Sequence, residues 1–514
     1  MNHTPPPPFI PPALILSPYG RTVLRDLGVV LHVPGAMALV SIGVAVLAGE
    51  SSAALAFLIT ALTAFAVGQI LYRAFRSQGE PLRVANAMIA AVLAWTATPL
   101  FAALPFVLMA WSAPAGNGWA EVFVNPLSAL FEATSGFTST GLTMVDHPSQ
   151  LPHALQWWRS FLQWVGGVGI ILATLTVFHP SGDAYRLYFS EGREQTIGDD
   201  VTASVLRMWW IYVLYTGCGA TLLWLAGMDA WAALNHAMTA IATGGFSVND
   251  QSIAGYGVAV KLVMVVLMMM GAISFAVHFR LLITRKAGFL HHDAEVHAFA
   301  VLLGVGFAAL VLENWWSGGA PLVVDSLFQW TSALTTSGFQ TTDIASWSPT
   351  ALMALSLAMI IGGMAGATTG GLKLKRVVLL MDAALARVRG VAQHPWRLME
   401  HRPITGPDED VHATRALEAA VIMTGLWLAL LVIAVVVMLH VTPVGTPLEH
   451  VLLEIASALG NVGLSTGLTH SDMGWASKVT LMTVMWLGRL EIVPVLVFAS
   501  VTLRWLRNSA NGGL

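Results

Sequence analysis

The chain has 514 residues, of which 56% are hydrophobic and only 10% are charged, and its formal net charge is −3. With a mean hydropathy of +0.70, it has too few ionisable groups to cover a soluble surface of this size. The composition excludes a soluble globular protein and predicts an integral membrane protein. Cys218 is the single cysteine, so an internal disulfide is excluded as well.

About ten apolar runs are long enough to cross a hydrocarbon core of roughly 30 Å. The proline-rich start has no basic residue before Arg21, which predicts a flexible tail and not a cleaved signal peptide. The apolar runs lie near residues 27–48, 53–74, 84–111, 160–178, 203–227, 259–281, 295–313, 350–372, 414–440 and 478–503. The first two precede a motif that then recurs along the chain.

This motif occurs four times: FEATSGFTSTGLTMVD from Phe131, NHAMTAIATGGFSVND from Asn235, FQWTSALTTSGFQTTD from Phe328 and LEIASALGNVGLSTGL from Leu453. Each copy has a glycine at the same offset, and a second glycine follows 24 to 26 residues later. The pairs are Gly141 and Gly166, Gly245 and Gly271, Gly338 and Gly362, and Gly463 and Gly488. Fourfold repetition predicts four wedges around one axis, each with a glycine turn that reaches positive φ at little cost.

A short apolar segment precedes each glycine turn. Pro126–Thr138 and Pro447–Gly460 cannot span a bilayer at 1.5 Å per residue, so we expect them to return to the side they entered from. Asn125-Pro126 and Thr446-Pro447 are typical of helix N-cap and first-turn pairs. The predicted fold is an all-α polytopic membrane protein with four pseudo-repeats of helix, pore half-helix and helix around a central pore, plus two extra N-terminal helices.

The corresponding units are a flexible tail over 1–20, a two-helix N-terminal domain over 21–82, and pore repeats over 83–195, 196–290, 291–405 and 406–514. The third repeat is expected to have a broken last helix.

Basic residues near the ends of the apolar runs predict the orientation. With the N-terminus inside, the inner loops collect Arg21 and Arg25; Arg73, Arg76 and Arg83; Arg186 and Arg193; Arg280, Arg285 and Lys286; Arg387 through Arg402; and Arg504 and Arg507. The outer face receives Arg159, Lys261 and Lys478. We therefore expect all four glycine turns to face outside.

The turns have a composition suited to a cation. Half-helices that direct their carboxyl ends at one axis place partial negative charge there, and turn carbonyls can replace an ion's hydration shell. No acidic residue lies within 133–145, 237–249, 330–342 or 455–471, so carbonyl dipoles would select a large monovalent ion such as K⁺. The alternative is that these glycines serve close helix packing; the common register and the half-helices favour the filter.

The repeats resemble the Trk/Ktr/HKT superfamily of potassium transporters over nearly the whole membrane region. The stretches similar to bacterial TrkH-type subunits are AYRLYFSEGRE (184–194), LWLAGMDAWAALNHAMTAIATGGFSVND (223–250), SALTTSGFQTTD (332–343) and GRLEIVPVLV (488–497). The two extra N-terminal helices fit the TrkH type, whereas GNVGLSTG (460–467) is closer to the Ktr pattern. The subtype therefore stays open between Trk and Ktr.

The resemblance implies K⁺ as the transported ion, no covalently bound cofactor, and one filter glycine in each repeat. The implied filter residues are Thr140, Gly141, Gly244, Gly245, Ser337, Gly338, Val462 and Gly463. HKT members that favour sodium carry serine at the first glycine position, so Gly141 implies potassium.

The same resemblance implies a homodimer surrounded by lipid in a bacterial cytoplasmic (inner) membrane. It also implies a cytoplasmic regulatory subunit with nucleotide-binding RCK domains, which we expect to dock on the basic segments Arg280–Lys286 and Lys373–Arg402. The chain has no glycine-rich dinucleotide fingerprint of its own, and no nucleic-acid partner is expected.

GGMAGATTGGLKLKR (362–376) interrupts the last helix of the third repeat, because glycines and threonines do not sustain a stiff helix. Such a break is tolerated in a membrane only where the backbone faces protein or a watery cavity. The resemblance implies a gating loop that obstructs the pore, with candidate residues Gly362, Gly363, Gly366, Thr368, Thr369, Gly370, Gly371 and Lys373. Thr369 stands where glycine is common, which would stiffen the loop. A phosphate loop is disfavoured, since GATTGGLK lacks the GK[ST] order.

Arg489 lies eleven residues after Lys478, which places it near the middle of the last predicted helix. An arginine at the bilayer centre costs about 2.5–3.5 kcal/mol on insertion scales and turns toward a partner or a water-filled cavity. Glu491 is too close in sequence to be its intrahelical partner. The resemblance implies that Arg489 lies against the gating loop as a barrier to cations; the alternative is that it snorkels to the inner face.

Two further features of the sequence each allow two interpretations. Glu132 and Glu454, at matching positions, either bond turn amides or act as caps, and HHDAEVH (291–297) either binds metal or forms a polar helix start. No combination of nucleophile, base and orienting group is present, so no enzyme is expected. The predicted function is K⁺ uptake; the alternatives are a K⁺ symporter coupled to H⁺ or Na⁺, a less selective K⁺/Na⁺ transporter, and a non-transporting receptor or scaffold.

Overall fold

A computed structural model of the chain describes residues 18–76, 84–114, 116–169, 201–283, 285, 288–317, 323–393 and 409–510. Within these ranges the secondary structure is helical and contains no strand, as the predicted all-α class requires. The tail before residue 18 and the segments 170–200 and 394–408, with their basic residues and the AYRLYFSEGRE stretch, lie outside the described residues.

Three helices form the N-terminal part: α1 (Pro18–Val30), α2 (His32–Leu47) and α3 (Ser51–Ala74). The first two continue into each other as one apolar span, and both pack against α3. A Cβ on Gly28 would lie 2.7 Å from the carbonyl oxygen of Gly68. Small residues therefore set the distance between these helices, as is usual where lipid supplies no hydrophobic driving force for packing.

Seventeen further α-helices follow in the described residues, in four groups that each include a 12-residue half-helix. The groups are α4 (Val84–Ala102), α5 (Leu104–Ser112), α6 (Gly118–Phe123), α7 (Pro126–Phe137) and α8 (His153–Val168); α9 (Val201–Leu225), α10 (Ala230–Ile241), α11 (Val258–Ala272) and α12 (Phe275–Leu282); α13 (Ala294–Trp316), α14 (Val323–Leu334), α15 (Pro349–Ile361) and α16 (Leu374–Gln393); and α17 (Glu409–Val441), α18 (Leu448–Leu459), α19 (Trp475–Leu490) and α20 (Val493–Ala510).

Six spans in the described residues are long and apolar enough to cross a membrane, or eight if each of two bent helix pairs forms one span. Large apolar side chains on these helices face outward, for example Ile422 (61% exposed) and Val432 (61% exposed) on α17. Such a surface is stable in hydrocarbon and not in water. The chain is therefore a multi-pass membrane protein.

The half-helices α7, α10, α14 and α18 have 12 residues each, which is about 18 Å of helix. They are too short to span, as predicted. The Asn125 side chain accepts from the amide of Leu127 at 3.0 Å and caps α7, also as predicted. The predicted Thr446 cap is wrong: Pro447 occupies the N-cap of α18 and provides no side-chain bond.

The half-helices and the helices that follow them close a cycle of contacts. Each half-helix packs against the helix after its own turn. In addition, α8 packs against α10, α11 against α14, α15 against α18, and α19 against α7. Because the last group contacts the first, the four groups form a closed ring and their turns lie around one centre.

Two spans predicted as continuous are bent. The run 259–281 is divided into α11 and α12, which meet at 105°, and the run 478–503 into α19 and α20, which meet at 106°. Ser274 caps α12, and Glu491 takes a left-handed conformation (φ 52°) between α19 and α20. Arg489 therefore lies in the last turn of α19, and its predicted place in mid-helix is wrong. The predicted break in the third group is present, between Ile361 and Leu374.

Candidate functional site

The four turns share one backbone conformation. Their glycines have positive φ: Gly141 93°, Gly245 79°, Gly338 76° and Gly463 102°. The residue two positions earlier is left-handed in each turn, with φ between 50° and 53°: Ser139, Thr243, Thr336 and Asn461. A backbone hydrogen bond closes each turn, from Thr140 to Ser135, Gly244 to Thr239, Ser337 to Ser332 and Val462 to Ser457, at 2.8–2.9 Å. The four glycines that share one offset in the sequence thus also share one backbone conformation.

The turns also touch one another in a closed cycle. A Cβ on each turn glycine would collide with a carbonyl oxygen of the next turn. The contacts run from Gly141 to the oxygen of Gly244, from Gly245 to that of Ser337, from Gly338 to that of Val462, and from Gly463 to that of Thr140. Positive φ and close backbone approach both require glycine at these four positions. The structure thus brings all eight predicted filter residues into one ring.

A cavity of about 150 Å³ lies over one side of this ring, lined by the four turn glycines together with Arg159, Asp250 and Gln340. Asp250 accepts a hydrogen bond from the amide of Ser149 at 2.9 Å and contacts His147 at 3.3 Å. Burial alone would raise the pKa of Asp250, but these hydrogen bonds outweigh it and hold the pKa below its usual range. Asp250 is therefore an ionised carboxylate at the edge of this cavity, which Arg159 also lines.

Two buried carboxylates hold the first and fourth turns. Glu132 accepts from the amide of Met144 at 2.8 Å and from the hydroxyl of Thr143 at 2.9 Å. Glu454 accepts from the hydroxyl of Ser465 at 2.7 Å and from the amide of Thr469 at 2.8 Å. Of the two sequence-based interpretations, bonding to turn amides is the one these contacts confirm.

Three side chains that hold the turns are not recognised from the sequence pattern. Arg159, which that pattern assigns only to the outer face, is buried and donates to Glu132 at 2.7 Å and to the carbonyl of Ser247 at 2.9 Å. Gln163 accepts from the amide of Phe246 at 3.0 Å. His236 bonds the hydroxyl of Ser247 at 2.9 Å. A usable signal existed for His236, because it precedes its turn glycine by the same nine positions as Glu132.

The segment between α15 and α16 lies against the opposite side of the ring. The hydroxyl of Thr368 donates to the carbonyls of Gly271 at 2.9 Å and Ile241 at 3.0 Å. The amide of Gly370 donates to the Thr336 hydroxyl at 3.0 Å, and a Cβ on Gly370 would collide with the carbonyl oxygen of Gly460. The segment therefore contacts the ends of the second, third and fourth half-helices or their turns.

Glycines allow this segment to fold back on itself. Gly362, Gly366 and Gly371 have positive φ, and a Cβ on Gly363 would lie 2.7 Å from the side chain of Thr369. Lys373 is also left-handed, and its ammonium donates to the carbonyl of Thr369. All the predicted loop residues thus belong to one compact loop that folds back on itself.

Arg489 connects this segment to the first group. Its guanidinium donates to the carbonyl of Thr368 at 3.2 Å, to that of Gly167 at 3.1 Å, and to that of Gly166. It also lies 5.3 Å from the ring centroid of Trp95. Because these groups hold the guanidinium inside the protein, the snorkelling alternative is wrong. A cavity of about 60 Å³ is lined by Arg489, Gly370 and Asn461, and it has room for only a few water molecules.

Glu491 has a different partner. Its carboxylate accepts from Arg376, near the start of α16, at 2.5 Å, and both side chains are about one-fifth exposed. This ion pair joins the helix that leaves the loop to the bend that follows Arg489. The two residues are 115 positions apart, so sequence spacing gave no signal for the pair. In the HHDAEVH segment, Asp293 caps α13 by accepting from the amides of Glu295 and Val296, which supports the polar helix start.

The chain is thus a multi-pass helical membrane protein in which four backbone turns meet in one ring and an inserted loop lies against that ring. Residues 53–508 match the TrkH family, described as cation transport protein, and the chain belongs to this family. The family consists of membrane ion transporters, so the chain is not an enzyme.

The relatives match most of the length of the chain. It is 32% identical over 489 residues to an uncharacterized cation transporter of Methanocaldococcus jannaschii, covering 94% of this chain and 96% of the relative. It is 29% identical over 476 residues to the Trk system potassium uptake protein TrkH of Escherichia coli K12, covering 90% and 94%. The crystal structure of the potassium transporter TrkH from Vibrio parahaemolyticus has a TM-score of 0.77 and 27% identity, covering 93% and 98%.

Proposed function

We propose that the chain carries K⁺ across the membrane through the ring formed by Thr140, Gly141, Gly244, Gly245, Ser337, Gly338, Val462 and Gly463. The observation that carries the proposal is the closed cycle in which each turn glycine faces the carbonyl of the next turn. Backbone carbonyls at close quarters can replace the hydration shell of a potassium ion. The names of the Escherichia coli and Vibrio relatives, both potassium transporters, point to the same ion.

The selectivity proposed here comes from dipoles and not from charge. The half-helices end four residues before their turn glycines, so their C-terminal carbonyls add partial negative charge near the ring. The two buried carboxylates of the half-helices, Glu132 and Glu454, are occupied by hydrogen bonds from turn atoms. Such a ring suits a weakly hydrated monovalent cation better than a divalent one.

The gate in this proposal is the segment 362–371 with Lys373 and Arg489. Supporting it, the segment contacts three of the half-helix ends or turns, and Arg489 fastens it to the fourth side through Gly166 and Gly167. A guanidinium in this position repels a cation that has passed the ring. Opening requires the segment to leave its hydrogen-bonded place.

We further propose that the chain lies in a bacterial inner membrane with its N-terminus inside and forms a homodimer. A regulatory subunit with nucleotide-binding RCK domains binds the face that carries Arg280 and α16. The word "system" in the names of the Trk relatives fits a multi-subunit transporter. The ion pair between Arg376 and Glu491 offers a route by which force on that face reaches Arg489.

Flux measurements on purified protein in liposomes, with K⁺, Rb⁺ and Na⁺ in turn, test the function. We expect K⁺ flux well above that of empty liposomes and above Na⁺ flux, driven and reversed by the K⁺ gradient alone. A K⁺ flux that requires an H⁺ or Na⁺ gradient would replace conduction by symport, and equal K⁺ and Na⁺ flux would replace the selective ring by a general cation path. Absence of flux from folded protein would leave a receptor or scaffold.

A further inference from the structure

Gln329 occupies in the third group the position that lies nine residues before the turn glycine. In the other three groups, the residue at this position bonds the side chain two residues after the glycine. These pairs are Glu132 with Thr143 at 2.9 Å, His236 with Ser247 at 2.9 Å, and Glu454 with Ser465 at 2.7 Å. Three of the four turns are thus fastened to their own half-helix by the same kind of contact.

The third group lacks this contact. Gln340, two residues after Gly338, donates instead to the carbonyl of Ser465 in the fourth turn at 2.9 Å. Gln329 is 0% exposed, and neither its Oε1 nor its Nε2 has a hydrogen-bond partner in the described part of the chain. Thr341, on the same turn, also has a buried hydroxyl without such a partner. The third turn is therefore bonded to its neighbour through Gln340, and its bonds to its own half-helix come from Ser332 and not from Gln329.

A buried amide with both ends unpaired raises the free energy of the conformation that contains it. Any shift of the third turn that brings Gln340 or Thr341 into hydrogen-bonding contact with Gln329 recovers part of that cost. The amide therefore favours a second position of the turn. In the other groups, the residue at the equivalent position already has its bond to the turn.

We infer that Gln329 is a positioning residue that sets how far the third turn can shift, and thereby how strictly the ring discriminates between ions of different size. The inference rests on the proposed filter role of the turns. A turn with two accessible positions admits ions that fit a rigid ring less well. The third turn is therefore the part of the ring that discriminates least between ions of different size. Removing the amide or giving it a permanent partner makes the ring stricter.

Two variants test this by different means. Gln329→Met keeps the volume and removes the amide, and the double variant Q329E/Q340S rebuilds in the third group the pair that Glu454 and Ser465 form in the fourth. Flux of K⁺, Rb⁺ and Na⁺ is measured in liposomes, with the melting temperature alongside. We expect the Rb⁺/K⁺ and Na⁺/K⁺ flux ratios to fall by about threefold in both variants, the effect of roughly one hydrogen bond, with the melting temperature unchanged or raised.

Gln156→Met is the matched control, because the amide of Gln156 is fully bonded, to Pro148, Leu151 and Trp231, and contacts none of the ring residues. Its melting temperature should fall while its ion ratios stay parental. If both Gln329 variants are folded and keep the parental ion ratios, the inference is wrong and the amide is only structural. A parent protein without ion discrimination would instead contradict the proposed function. If one variant fails to fold, the other decides.

Discussion

The guanidinium of Arg159 donates to the carboxylate of Glu132 at 2.7 Å, and both side chains are almost completely buried. The same guanidinium bonds the hydroxyl of Thr143 at 3.1 Å and the carbonyl of Ser247 at 2.9 Å. Arg159, paired with Glu132, therefore connects the first turn to the second.

Removing the charge of Glu132 leaves the buried guanidinium uncompensated. We expect Glu132→Gln to lower the free energy of unfolding by about 3–5 kcal/mol, the usual cost of breaking a buried pair. Thermal unfolding in detergent measures the loss. Glu418→Gln, on an exposed position of α17, is the control and should melt like the parent. A Glu132→Gln protein of parental stability would show that the pair is dispensable.

A second prediction concerns the ring itself. A side chain on Gly141 meets the carbonyl of Gly244 and must adopt φ 93°, so Gly141→Ser displaces one carbonyl of the ring. We expect the K⁺/Na⁺ uptake ratio to fall about tenfold, which corresponds to about 1.4 kcal/mol of discrimination.

Uptake of both ions by cells with matched expression provides the measurement for Gly141→Ser. Gly255→Ser, where an added Cβ meets nothing within 4 Å, should keep the parental ratio. If both serine variants discriminate like the parent, Gly141 is not a filter residue.

The third prediction separates the charge of Arg489 from its hydrogen bonds. Arg489→Gln keeps a donor for the carbonyls of Thr368 and Gly167 but removes the positive charge, whereas Arg489→Lys keeps the charge and loses the planar fork. If the charge is the barrier, K⁺ flux rises several-fold in Arg489→Gln and stays near the parental value in Arg489→Lys. If both variants have the K⁺ flux and the melting temperature of the parent, Arg489 is neither a barrier nor an anchor.

The fourth prediction concerns the ion pair between Arg376 and Glu491. Either Arg376→Glu or Glu491→Arg alone places like charges together, which should loosen the loop and raise K⁺ flux in the absence of any partner subunit. The exchanged pair R376E/E491R restores attraction and should return the flux toward the parental value. The non-additivity of a double-mutant cycle measures the coupling. Additive effects of the two exchanges would show that the residues act independently.

The positions of the turns could be predicted because their signal is local. A glycine at one offset in four copies is a backbone requirement that each turn must meet by itself, and the half-helices follow from length alone. The contacts that hold the turns were less accessible. Arg159 and Ser247 are 88 positions apart, and nothing in the sequence near either residue refers to the other.

The two bends show a different limit. Apolar composition continues through Ile273 and through Ile492, so hydropathy predicts one span where the chain turns by about a right angle. The local signals were present but weaker: Ser274 is an N-cap residue, and Pro494 stands in the first turn of α20. The length of the apolar run outweighs these signals, and for that reason the sequence predicts a mid-helix position for Arg489.

The ring is built from a single polypeptide, and the residues that supply its four carbonyls are unlike: Thr140, Gly244, Ser337 and Val462. In a pore made of four identical subunits, one codon change alters every quadrant at once. Here one codon change alters a single quadrant and leaves the other three intact. Under the proposed filter role, ion preference can therefore change in small steps, one quadrant at a time, and each quadrant can acquire its own task without the others having to follow.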